Sequence, residues 1–564
     1  MKKQTVKVLS LIAVSGALAT GCKLLKDVDY VATPNPLEMH GDSVLVKVDI
    51  TFPEKGIHKK AAAEITPMLG TYALKPVRVQ GEKATGNGDV IQYKAGGSVS
   101  YTDIVAYSPD MEVSDLNITG KIYKGTKEKG DIELTKIADA TIITPYLVKK
   151  DFKVIVATDE FHRVTEETFS AQLNYAKGKS AVSSKELKED DIKAYEAFLT
   201  NAQSDAKVAI KSINITGFAS PEGEEDKNNT LSTDRANAAK ESAMAIAKKA
   251  ENEAGAGEIY TTNGSGEDYT GFKLALEADT EMNEDDKNLV LRVLETITNA
   301  TEREAAMRDM GKTFSYLDKN IFPMLRRAEL VTVYDQTGFS DEELVALSTS
   351  NPDTLNLEEL LFTAALSTDL NEQLRVYKIA EERFPNDYRT SNNVGAVLYM
   401  QNKASEAKAQ FEKANGIQDN PISKNNLGAI AGLEGDRVKA MELLEQSGGA
   451  TETSYNKGIL NILDGDYTDA VSNLSSEDSY NNALANLLAG NNSAAKETTD
   501  KSMEAETAMG FYLKAVIAAN EDDLQGVVSN LKSCFAKDES YKAKAKKDRE
   551  FLKYASDAAL TAIM

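Results

Sequence analysis

The chain has 564 residues, 41% of them apolar and only 12 of them proline, enough for two to four folded domains and unlike a largely disordered chain. Its 88 acidic and 65 basic residues leave a formal charge of −23, which repels nucleic acid and anionic headgroups over most of the surface. The three histidines, His40, His58 and His162, stand far apart and outside ligand spacings such as HExxH, so no metal site is expected.

The first segment, "MKKQTVKVLSLIAVSGALATGC", carries Lys2, Lys3 and Lys7, then an apolar run from Val8 to Ala19, then small residues. That is the pattern of a secretory signal over 1–21, too short to span a bilayer comfortably. Its end, Ala19-Thr20-Gly21-Cys22, resembles the bacterial lipobox, with Ala19 where leucine is usual. The resemblance implies that Cys22 becomes the first residue and carries acyl chains such as palmitate. Lys23 does not resemble the aspartate that retains lipoproteins at the inner membrane, so an outer-membrane anchor is expected. Cys534 then has no intramolecular partner, and disulfides contribute nothing to the fold.

Residues 22–150 read as an antiparallel β-sandwich. In "DSVLVKVDITFP" (42–53), Val44, Val46, Val48 and Ile50 alternate with polar neighbours at the period of a half-buried strand. "AAAEITPML", "YALKPVRVQ", "DVIQYKAGGSVSYTDIVAY", "LNITGKIYKG" and "DIELTKIADATII" follow, separated by glycine and proline turns.

From 151 to 338 strands alternate with helices. "FKVIVATDEF" and "TFSAQLNYAKG" predict a strand pair, and "SKELKEDDIKAYEAFLTNAQ" predicts a helix with Leu187, Ile192, Tyr195 and Phe198 near one face. The strand "KVAIKSINITGFAS" leads into a loop and an alanine-rich helix from about Leu231 to Lys249. This order implies a mixed sheet covered by helices.

In this region "TGFASPEG", Asn228 and "LSTDRA", then "NGSGE" (263–267) and "LRRAELVTV" (325–333), resemble the OmpA-like peptidoglycan-binding domain in the family's order. Leu231, Ser232, Arg235 and Ala236 match its helix motif in register. The resemblance implies that Arg235 forks onto the carboxylate of a diaminopimelate zwitterion at a helix N-terminus. It also implies a loop aspartate for the ammonium, and that position is Ser220. A hydroxyl offers no counter-charge, so binding is expected to fall roughly ten- to a hundredfold unless Glu222, Glu224 or Glu225 supplies a carboxylate. The candidate peptidoglycan-binding residues are therefore Arg235, Ser220, Asn228, Leu231 and Glu222. A long insertion, about 269–323, carries helical patterning through Leu289, Val290, Val293, Ile297, Met307, Phe314 and Leu317.

Residues 339–564 read as an all-α solenoid. "NNVGAVLYMQNKASEAKAQFEKA", "NNLGAIAGLEGDRVKAMELLEQS" and "YNKGILNILDGDYTDAVSNL" align on Gly395, Gly428 and Gly458, with Ala407, Ala440 and Ala470 and then Phe411, Leu444 and Leu474. They resemble tetratricopeptide (TPR) repeats, whose concave face takes a peptide or another protein. Flanking copies, one around Tyr377, Ala380 and Pro385 and others around Ala483, Ala495, Ala515, Val527 and Leu531, extend the count to six, with "SYKAKAKKDREFLKYASD" as a polar terminal helix. Cys534 sits where the repeat carries a small helix-contact residue, so a buried thiol is expected.

No nucleophile elbow, phosphate loop or Cys/His pair occurs, so neither catalysis nor a cofactor is expected. The expectation is an outer-membrane lipoprotein, facing the periplasm, that scaffolds an envelope complex through its repeats and tethers it to peptidoglycan. The alternative is a surface-exposed binding or accessory lipoprotein, such as an adhesin or part of an uptake, secretion or assembly complex, whose OmpA-like domain has lost that ligand.

Overall fold

Val44, Val46, Val48 and Ile50 are all fully buried, as their alternation requires, and each contributes about 1.5–3 kcal/mol by leaving water. They lie on β3 (Ser43–Phe52), which pairs with β1 (Asp29–Ala32) and β2 (Met39–His40) over different parts of its length, and with β8 (Gly97–Ala106) along all of it. A second sheet runs in the order β10 (Lys127–Ala140), β9 (Ser114–Lys124), β4 (Ala61–Leu69), β6 (Val77–Gly81), β7 (Asp89–Ile91), with β5 (Tyr72–Ala73) on β4. One apolar cluster joins the sheets, including Val46 and Val48 from one, Ile65, Leu69 and Ile118 from the other. Among the described strands of these sheets the expected antiparallel pattern fails between β6 and β7, which are parallel. The loop between them is held by the Gln80 amide, which donates to Gly86 O at 3.4 Å and accepts from Gly88 N at 3.3 Å, and this returns the chain beside β6 in the same direction.

The computed structural model describes residues 24–564; the signal segment and Cys22 lie outside the described residues. Two compact units are formed, one from the chain up to Thr158 together with Ser367–Met564, the other from Asp159–Leu366. The division falls at 158 and 366 where the sequence pattern suggested 150 and 338. The sheets and the helical array thus belong to one unit, and two helices that follow 338 belong to the other.

After a 3-10 turn, Thr144–Leu147, residues 148–158 run extended. The strand expected in 152–161 joins no sheet; the backbone of Lys153, Ile155 and Ala157 is bonded instead to side chains of the helical array.

In the second unit a mixed sheet has the order β11 (Val164–Asn174), β14 (Arg327–Thr337), β12 (Val208–Ala219), β13 (Tyr260–Glu267), with only β12 and β13 parallel. Helices α1 (Asp190–Ser204) and α2 (Glu225–Lys249) cover it. Ile192, Tyr195 and Leu199 of α1 and Ala236, Ala239, Ala243 and Ala247 of α2 are buried in its core. Leu187 instead lies in a 3-10 turn before α1 and is 41% exposed. The insertion forms α3 (Tyr269–Ala278), α4 (Glu284–Thr296), α5 (Ala300–Arg308), α6 (Lys312–Tyr316) and α7 (Phe322–Leu325) around Phe272, Leu276, Val290, Met307, Leu317 and Phe322; Leu289 faces outward. Two helices, α8 (Asp341–Ser350) and α9 (Leu357–Ala365), complete the unit.

The array opens with α10 (Leu370–Arg383) and continues as helix pairs α11 (Tyr388–Met400)/α12 (Ala404–Ile417), α13 (Pro421–Glu434)/α14 (Arg437–Glu445), α15 (Thr451–Asp464)/α16 (Tyr467–Leu474), α17 (Tyr480–Leu488)/α18 (Asn492–Lys501) and α19 (Ala508–Asn520)/α20 (Leu524–Lys537). Those are five complete pairs where six were expected. The terminal helix is broken into α21 (Tyr541–Lys547), a 3-10 turn over Arg549–Tyr554, and α22 (Ala558–Thr561). The aligned glycines are needed for close approach within each pair. A Cβ on Gly395, Gly428 or Gly458 would lie 2.7, 2.8 or 2.4 Å from an atom of Phe411, Leu444 or Leu474, the large residues of the same repeats. The sheets dock on this array through Arg437, which donates to Asp42 and to Asp464, and through Gly41 N, which donates to the Tyr467 hydroxyl at 3.2 Å.

Candidate functional site

The loop after β12 places Ser220 and Glu222 beside the start of α2, from which Asn228 and Arg235 point inward. Arg235 is only 1% exposed. Its guanidinium donates to Phe218 O at 2.7 Å, Lys179 O at 3.0 Å and Ala176 O at 3.5 Å, and lies over the Tyr175 ring. Burial lowers its pKa to about 10, against the opposing influence of Tyr175, which leaves it cationic at neutral pH. The fork expected to face a ligand carboxylate is thus spent on backbone carbonyls. Asn228 is also internal, its Nδ2 donating to Glu267 Oε1 at 2.7 Å and Ser220 O at 3.3 Å, while Leu231 is half-buried.

Two acids gather beside Ser220. Glu222 and Asp318, the latter from the insertion, converge on Arg326, which donates to Glu222 Oε1 at 2.6 Å, to Asp318 Oδ1 at 2.9 Å and to Ser220 Oγ at 3.2 Å. Lys177 adds an ion pair to Asp318 at 2.8 Å. Desolvation raises the Glu222 pKa in spite of Arg326, and Lys177 foremost lowers that of Asp318. Glu304 of α5 accepts from Gly223 N and so closes the loop from above. Sequence reasoning named Glu222 but missed Arg326 and Asp318, because neither stands in the loop motif. A separate cleft of about 700 Å³, bounded by Asp205, Asn252, Glu253 and Glu258, holds none of these residues.

The other constellation lies in the array. Asn393, Asn426, Asn456 and Asn481 each sit two residues before the small residue of the first helix in a pair, and each is fully buried. Asn481 Oδ1 accepts from Lys149 N at 2.9 Å and its Nδ2 donates to Lys149 O at 2.8 Å. The same two-point pairing joins Asn456 to Lys153 (2.6 and 2.7 Å), Asn426 to Ile155 (2.7 and 2.8 Å) and Asn393 to Ala157 (2.8 and 2.9 Å). In an extended chain the N–H and C=O of one residue point the same way and alternate residues repeat the direction, which explains the odd-numbered register. The carboxamide supplies one acceptor and one donor, the complement of that pair. Asn392 and Asn425 brace the row, accepting from Asn426 Nδ2 at 3.0 Å and Asn456 Nδ2 at 3.2 Å.

Side chains set the register. Lys149 pairs with Glu504 at 2.6 Å; Lys153 pairs with Glu477 at 2.6 Å and lies 4.0 Å over the Tyr455 ring. Phe152 is 3% exposed against Gly432, where a Cβ would meet its ring at 2.6 Å, and Tyr399 donates to Phe152 O at 2.8 Å. The signal was visible in sequence: "NNVG", "NNLG" and "YNKG" carry an asparagine two residues before each aligned glycine.

No family model and no curated protein matches the chain. Among solved structures it is similar to a tetratricopeptide repeat protein from Parabacteroides merdae, at 12% identity and a TM-score of 0.28, covering 47% of this chain and 99% of that one. PilW, a widely conserved type IV pilus biogenesis factor, aligns at 14% identity and 0.27, covering 40% and 97%. The APC/C hetero-tetramer Cut9–Hcn1 aligns at 10% and 0.33, covering 59% and 67%. The repeat character of the array stands on its own glycine-against-large-residue packing. Among the described residues no helix is long and apolar enough to cross a membrane, and no group of three or more His, Cys, Asp or Glu could hold a metal ion.

Proposed function

We propose that this chain is an outer-membrane-anchored lipoprotein, held by acylated Cys22, that acts as a non-enzymatic scaffold in a cell envelope. The helical array is the part that engages protein. The asparagine row carries this reading: four buried carboxamides pair with the backbone of an extended segment, which is how a protein recognises peptide. The sheet order of the central unit and the positions of Asn228, Ser232 and Arg235 support an OmpA-like domain. Its clasp is engaged from within, Arg235 by carbonyls and one oxygen each of Glu222 and Asp318 by Arg326, which favours a domain that has become structural over one that tethers the chain to peptidoglycan.

Metabolic labelling with palmitate and fractionation test the anchor: label and outer-membrane location should both be lost in Cys22→Ser. A sacculus pull-down tests the domain, with little retention expected of the native chain and Arg235→Ala alike. Strong retention of the native chain that Arg235→Ala abolishes would restore the peptidoglycan tether. Protease shaving of intact cells separates a periplasmic body from a surface-exposed one.

A further inference from the structure

The groove of the array is filled by the chain's own residues 149–157, yet little of that recognition depends on which residues they are. Eight of the hydrogen bonds run between the four asparagines and backbone atoms. Residue-specific contacts come from Glu504, Glu477, the space left by Gly432, and Tyr455 and Asn481, which donate to the Asp151 carboxylate at 2.9 and 3.1 Å, so the groove selects a cation at the first and fifth positions, an acid at the third and an aromatic ring at the fourth. The strap has no strand beside it, its residues 153–156 are only half-buried, and the Lys153–Glu477 pair is about one-third exposed on both sides. It is held as a ligand is held.

We propose that the asparagine row is a peptide-binding site, that residues 149–157 are its built-in occupant, and that an extended partner segment with the same cation, acid, aromatic and cation spacing exchanges with them. This deepens the scaffold reading and rests on it: the partner is recruited by displacement of the strap. A tethered occupant competes at a high effective concentration, so exchange is weak until the strap is loosened.

The test uses the full chain and a fluorescein-labelled synthetic peptide of residues 147–160. A released variant, Lys149→Ala/Asp151→Ala/Phe152→Ala/Lys153→Ala, loses these side-chain anchors of the strap and keeps the asparagines. Anisotropy should show saturable binding to it at least tenfold tighter than to the unaltered chain, and at least tenfold weaker once Asn426→Ala and Asn456→Ala are added. Binding indifferent to the asparagines overturns the proposal, as does no binding to a released variant that melts as a folded protein. Elution of that variant as a dimer also overturns it, making a second copy's strap the occupant. If the released variant does not fold, hydrogen exchange on the unaltered chain decides. Excess peptide should raise uptake at Lys149, Lys153, Ile155 and Ala157 while a reversed-sequence peptide should not; equal uptake with both is the overturning result. Failure of the Cys22 labelling leaves these readouts untouched, so the anchor and the peptide site fail separately.

Discussion

Asn456 and Lys153 exchange two hydrogen bonds, Lys153 N to Oδ1 at 2.6 Å and Nδ2 to Lys153 O at 2.7 Å, so one side chain does for this residue what a neighbouring strand does in a sheet. Asn456→Ala leaves the half-buried Lys153 N–H without its acceptor, while Lys153 O keeps the Asn425 amide at 3.1 Å, at a cost of about 1–3 kcal/mol. Urea denaturation should report that loss, and the Lys153 amide should exchange faster with solvent.

Gly458 faces Leu474, with 2.4 Å between a notional Cβ and Leu474 Cγ. Gly458→Ala is expected to destabilise the array by about 1–3 kcal/mol through overpacking. In a double-mutant cycle with Leu474→Ala the two losses should fall short of additive, because the smaller partner makes room for the methyl. Additive losses would mean that the glycine serves something other than this contact.

Arg326 and Glu222 are 8% and 6% exposed at their side chains. Arg326→Ala strands a buried carboxylate and should cost about 3–5 kcal/mol. Adding Glu222→Gln removes the stranded charge, so thermal melting of the double variant should lie above that of Arg326→Ala alone.

Glu550 gives the pH dependence. Its carboxyl accepts from Thr144 Oγ1 at 2.5 Å and Asn520 Nδ2 at 3.1 Å, and burial, with Asp548 and Glu38 nearby, raises its pKa from 4.5 to about 8. The folded chain keeps a proton that the unfolded chain releases, so this contribution is complete below pH 4.5 and is lost as pH rises towards 8. The slope from this group is at most about 1.4 kcal/mol per pH unit. Glu550→Gln should flatten the stability profile between pH 5 and 8, and an unchanged profile would contradict the assignment.

Cys534 is fully buried and its thiol is pushed up to about 12 by burial, with Asp538 adding to it. A thiol reagent at pH 8 should leave Cys534 unmodified in the folded chain and modify it after denaturation.

Much of the architecture was legible where a single element contains its own pattern. The β3 alternation and the Gly395, Gly428 and Gly458 spacing both survive in the structure, because each depends on neighbours a few residues or one repeat away. What was hidden depends on distant partners. Residues 152–161 read as a strand because their side chains favour extended backbone, but the groups that satisfy the backbone of Lys153, Ile155 and Ala157 sit hundreds of residues later on helices. Arg235 stood in its quoted motif, while two of its three carbonyl partners come from residues 176 and 179, a stretch without any motif. The resemblance put Ser220 where an aspartate is expected; that Glu222 and Asp318 meet beside it, with a guanidinium between them, required the insertion to be folded.

The strap and its asparagines also set a timetable for synthesis. Ala157 is made 236 residues before Asn393, and translation at about 5–20 residues per second separates them by roughly 10 to 50 seconds. During that interval the central unit, complete by Leu366, emerges in full while the strap still has nothing to grip. The first unit is therefore closed last, and a truncation before Arg437 leaves the N-terminal sheets without the Arg437 and Tyr467 contacts on which they are seated.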